Sequence, residues 1–85
     1  MNTSDAIRAC LQQAFSPSVL EVVDDSERHR GHAGYRDGGQ THFNVRIRAR
    51  TFDGQSRVAR HRAVHDALGA DLVGRIHALS LDIGA

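Results

Sequence analysis

Eighty-five residues suffice for one small domain that buries only roughly 60–65% of its unfolded surface, with no room for two lobes around a deep cleft, which argues against a self-sufficient enzyme. Eleven basic residues, all of them Arg, against ten acidic ones give a formal net charge of +1, so no global basic field exists and nucleic-acid binding would have to rest on a local arginine patch. One cysteine excludes an internal disulfide and a CxxC motif. No apolar run approaches the roughly 20 residues of a membrane span, and no basic-then-apolar leader opens the chain, so the expected setting is soluble and cytoplasmic.

Thr3 or Ser4 is expected to cap a first helix, with Asp5 favourable at its positive end. Ile7, Cys10, Leu11, Ala14 and Phe15 share one helical face, which makes Cys10 a small buried hydrophobe rather than a ligand. Ser16-Pro17-Ser18 ends the helix, and residues 19–23, rich in Val, read as a strand. Residues 26–40 are polar, carry four glycines and show no apolar periodicity. A loop that long in so small a domain is the first place to look for a site.

Residues 42–50 alternate: Phe43, Val45, Ile47 and Ala49 point one way and Asn44, Arg46, Arg48 and Arg50 the other. That predicts a strand with one buried and one basic, solvated face. A turn over 51–55 leads to Ser56 as cap of a second helix, with Val58, Val64, Ala67, Leu68 and Leu72 on its inner side and Gly69 kinking or ending it. Gly74 breaks the chain before a last strand over 76–83. The whole is one α+β domain over residues 1–85, a three-stranded sheet covered by helices on one face.

Six histidines stand out against the lack of an available thiolate. Imidazole is the commonest metal ligand. His29 and His32 lie in the Gly-rich loop, His42 opens a strand, His61 and His65 lie on the second helix, and His77 opens the last strand. A chain so furnished completes a soft-metal site only by borrowing ligands from a partner. At the mouth of a strand, His77 is expected to be held by a rigid element while its ring reaches the surface.

Five short elements carry a family resemblance: Asp24-Asp25-Ser26 with His29 three residues on; Thr41-His42-Phe43; Phe52-Asp53-Gly54; Arg60-His61-Arg62; and Ile76-His77-Ala78-Leu79-Ser80. Each is weak alone; in this order and spacing the chain resembles the BolA-like proteins over nearly its whole length. The resemblance implies an α-β-β-α-α-β order similar to a class II KH domain. It also implies a non-enzymatic role as partner of a monothiol glutaredoxin in iron–sulfur cluster assembly, transfer or iron sensing. The chain stops directly after the last strand, so nothing about the C-terminal helix and tail of longer relatives carries over.

The family places a metal-ligand histidine at His77, and its variable loop ligand falls on His29, with His32 as the alternative. Two imidazoles cannot hold a [2Fe-2S] cluster, which needs four ligands. The resemblance therefore implies a heterodimer in which a glutaredoxin cysteine and glutathione on the partner side supply the thiolates, the free chain being a monomer. Mixed His/Cys ligation raises the reduction potential above that of an all-Cys plant-type ferredoxin. Ligation requires neutral imidazole, so binding weakens as pH falls through roughly 6.5.

His61 is expected to fix helix to sheet, and His42 and His65 are expected to be structural. The alternative function is a KH-like nucleic-acid-binding regulator using Arg46, Arg48, Arg50, Arg57 and Arg60. Against it, a KH domain clamps backbone through a GxxG loop, whereas the turn here reads Gly54-Gln55-Ser56-Arg57, and Tyr35 is the lone stacking candidate in the loop. A simple zinc site from His29, His32 and His77 is a third possibility, without a carboxylate placed as general base. No nucleophile motif is present.

Overall fold

The computed structural model describes residues 2–25 and 42–85. The element order is α1 (Thr3–Phe15), β1 (Val19–Asp24), β2 (His42–Arg48), a 3-10 turn (Arg50–Phe52), α2 (Arg57–Leu68), α3 (Ala70–Gly74) and β3 (Ala78–Gly84). The sheet order is β1-β2-β3. β1 runs antiparallel to β2, with Val19 opposite Arg48 and Asp24 opposite Phe43. β2 and β3 are parallel, with His42 opposite Ala78 and Arg48 opposite Gly84. A parallel pair needs a crossover, and α2 with α3 provides it.

α1 starts one residue earlier than Thr3 or Ser4 implies. Asn2 is the cap, its side-chain oxygen accepting from the Asp5 N–H at 2.9 Å, a role that Asn fills as well as Ser does. Ile7 and Leu11 of α1 are fully buried, with Cys10 and Phe15 packed beside them. The helix ends at Ser16, whose backbone takes the left-handed conformation (φ 44°) while its N–H donates to the Gln12 carbonyl at 3.0 Å. Pro17 cannot continue the ladder.

The alternation along β2 appears as expected. Phe43, Val45 and Ile47 are buried, and Asn44 and Arg46 are exposed on the far face. With Ala49, Phe52, Val64, Leu68 and Leu72 they complete one core between the sheet and the helices. The rings of Phe15 and Phe52, 4.8 Å apart, tie the end of α1 to the 3-10 turn.

Further expectations need correction. The last strand runs over Ala78–Gly84 rather than 76–83, so His77 lies just before it and does not open it. β2 ends at Arg48, so Arg50 lies in the 3-10 turn rather than on the strand's basic face. The second helix stops at Leu68, because Gly69 adopts φ 85° and ψ 154°, a region open essentially to glycine alone; Leu72 thus belongs to the separate helix α3. Val58 is not inward: it is 61% exposed, since Val64 and Leu68 set the buried side of α2 and Val58, in the first turn and about 120° around the axis from Val64, falls outside it.

Candidate metal site at the start of two parallel strands

Because β2 and β3 run parallel in register, their first residues lie side by side at one end of the sheet. His42 is the first residue of β2, and His77 immediately precedes β3. Their imidazole centroids are 5.1 Å apart, the rings inclined at 55°. The two differ in environment. His42 is 4% exposed, a buried polar side chain that makes interactions of its own, whereas His77 is exposed. His77 thus has a ring held on one side by a packed neighbour and open on the other.

The same end of the sheet anchors the long polar segment. The Asp25 N–H donates to the His42 carbonyl at 2.7 Å, and the Asn44 side-chain amide donates to the Asp25 carboxylate at 3.2 Å. Asp25 and His42, the described residues that flank 26–41, are joined by the first of these bonds at that end of the sheet. His29, His32 and Tyr35 lie outside the described residues.

Among the described residues no group of three or more His, Cys, Asp or Glu side chains is gathered closely enough to hold a metal ion. Cys10 is half-buried against the core on α1. At this site the available donors are therefore imidazole nitrogens. His42 was expected to be structural, and its burial agrees, but its contact with His77 makes it part of the site's frame. The signal lay in the topology: a parallel β2–β3 pair places both strand starts at one end, and each carries a histidine.

The arginines named above are engaged to different degrees by protein groups. Arg46 Nη1 sits 3.9 Å from the Glu21 carboxylate. Arg48 pairs with Asp82 at 2.9 Å and also donates to the Ile47 and Asp82 carbonyls, each at 2.9 Å. Arg60 donates through Nε to the Phe52 carbonyl at 3.0 Å and through Nη1 to that of Ile83 at 3.3 Å. Arg50 and Arg57 are exposed on the 3-10 turn and on α2. The Gly54–Arg57 turn serves α2 directly, with the Ser56 hydroxyl accepting from the Ala59 N–H at 3.1 Å.

Against known proteins, the family model described as "BolA-like protein" matches residues 11–85. The chain belongs to the BolA-like family. BolA-like protein 1 of Mus musculus is 46% identical over 76 residues, covering 89% of this chain and 53% of that relative. SufE-like protein 1, chloroplastic/mitochondrial, of Arabidopsis thaliana is 46% identical over 79 residues, covering 88% of this chain and 21% of the relative. The chain therefore spans about half of one curated relative and about a fifth of the other. The solved structure of BolA1 from Arabidopsis thaliana superposes with a TM-score of 0.82 at 36% identity, covering 99% of this chain and 92% of that one. The BolA-like fold is thus established for this α+β chain. No helix among the described residues is long and apolar enough to cross a membrane.

Proposed function

We propose that this BolA-like chain is a non-enzymatic, cytoplasmic partner of a monothiol glutaredoxin, co-ligating a [2Fe-2S] cluster through His77 and a histidine of the 26–41 segment. The observation that carries the reading is the placement of His77. Its ring is exposed, sits against the buried imidazole of His42, and stands at the end of the sheet where that segment is anchored. A ligand must be positioned yet accessible, and the strand start meets both needs. A relative named SufE-like protein 1 includes a BolA domain, which supports a place in iron–sulfur metabolism.

The donor set fits half of such a site. Imidazole nitrogens from His77 and from His29, or alternatively His32, would face one iron, while thiolates of the partner's cysteine and of glutathione would face the other. When bound, the cluster supplies one-electron redox chemistry at a potential raised by nitrogen ligation. His42 contributes by packing, fixing the side from which the His77 ring is supported. The nucleic-acid reading draws less support, because Arg46, Arg48 and Arg60 are already engaged with protein groups.

The test mixes this protein with a cluster-loaded monothiol glutaredoxin and glutathione and follows visible absorption and circular dichroism. A new heterodimer spectrum that is absent with His77→Ala supports mixed ligation. The His29→Ala and His32→Ala variants then identify the second ligand. A wild-type protein that leaves the glutaredoxin spectrum unchanged sinks the proposal, and a salt-titrated DNA-binding assay becomes the next step.

A further inference from the structure

α2 carries a second pair of histidines, remote in sequence from the strand starts. His61 and His65 are one helical turn apart, and both line a surface depression of about 480 Å³ together with Arg57, Val58, Arg62 and Asp66. His61 is half-buried, so packing restrains its ring, while His65 is exposed. Neither ring makes a hydrogen bond or ion pair among the described residues. Side chains at i and i+4 on a helix start about 5–6 Å apart at Cβ, a separation that two imidazoles close upon one ion. Helical zinc sites of the H-x-x-x-H kind use this spacing.

We propose that His61 and His65 form a two-imidazole chelate for a divalent late transition metal ion, with Cu2+ the preferred occupant. The residues between them are Arg62, Ala63 and Val64, so the helix supplies no glutamate as general base, and the site binds rather than hydrolyses. No third protein ligand stands within reach among the described residues. Two nitrogens with water in the remaining positions suit the tetragonal N,O preference of Cu2+, which also tops the affinity order for imidazole donors. Arg57 and Arg62 border the same depression and oppose a cation, and Asp66 partly offsets them. Affinity therefore depends on both rings acting together, and this site stands independently of the proposal for His77.

The experiment is a titration with Cu2+ alone, read by calorimetry and by electron paramagnetic resonance for nitrogen coupling, on the wild type and three folded variants. His65→Ala lowers the affinity of the strongest site by at least about tenfold, because the remaining imidazole loses the effective concentration of a neighbour one turn away. His77→Ala leaves that site unchanged. Adding Val58→His to His65→Ala regains most of the affinity by placing an imidazole three residues before His61. Wild-type affinity in His65→Ala, or loss of the strongest site in His77→Ala, overturns the proposal. A folded rescue variant with no regained affinity overturns the chelate as well.

Discussion

The two ends of β3 differ in how far the protein engages their polar groups. At the C-terminal end, Asp82 takes the Arg48 guanidinium, the Ile83 carbonyl takes Arg60, and the Gly84 carbonyl accepts the Ala49 N–H at 3.0 Å. Even the absence of a side chain at Gly84 is used, since a Cβ there would stand 3.1 Å from Arg48 Cδ. At the N-terminal end, His77 is exposed and touches the ring of His42, with no hydrogen bond or ion pair among the described residues. Polar groups at one end are spent inside the protein. At the other the His77 ring makes none of these bonds among the described residues, and that contrast separates architecture from candidate chemistry more sharply than residue type does.

The contrast breaks most visibly at His77. His77→Ala is expected to abolish the mixed-ligation spectrum with glutaredoxin altogether while changing unfolding free energy by less than about 0.5 kcal/mol, the range of a surface substitution. Urea denaturation of the two proteins checks the second half. A large loss of stability would mean that His77 belongs to the architecture after all.

At the opposite end the same two measurements should trade places. Phe52→Ala empties a fully buried site that also meets Phe15 and should cost about 3–5 kcal/mol. Arg60→Ala removes donors from two backbone carbonyls, one on the 3-10 turn and one on β3, and should cost about 2–3 kcal/mol, the range for hydrogen bonds to charged groups. Provided the Arg60 variant remains folded, its cluster spectrum with glutaredoxin should match wild type. A selective loss of partner binding at unchanged stability would instead make Arg60 an interface residue.

How much of this could be read from the residues depends on the range of the interaction. Alternation in Phe43, Val45 and Ile47 and the helical stripe of Ile7 and Leu11 are local patterns, and they named the buried faces. α3 spans five residues, too few for a helical period to declare itself, and its existence came from the family resemblance. Val58 looked like core by type, yet the side of α2 that faces inward is set by Val64 and Leu68 against α1 and the sheet. The meeting of His42 with His77 spans 35 positions of chain and appears only once β2 and β3 are paired in parallel. His77 was legible as a candidate because the resemblance and its strand-start position agreed. Its neighbour was not, because a single histidine opening a strand carries no record of which strand lies beside it.

The finest test compares Arg48 with Arg46, two arginines of one strand with the same outward alternation. Arg46 reaches Glu21 at 3.9 Å, with both side chains more than half exposed. Arg48 is only 25% exposed and makes three bonds of 2.9 Å to Ile47 and Asp82. Water screens the first pair and leaves its two long side chains poorly fixed, so Arg46→Ala should cost no more than about 0.5 kcal/mol and nothing measurable at high salt. Arg48 is held against the Gly84 backbone, and two of its bonds end on carbonyls that salt does not neutralise. Arg48→Ala should therefore cost about 1–2 kcal/mol and retain most of that cost in 1 M salt. Equal effects from the two substitutions would show that solvent, rather than packing against β3, sets what an arginine contributes on this face.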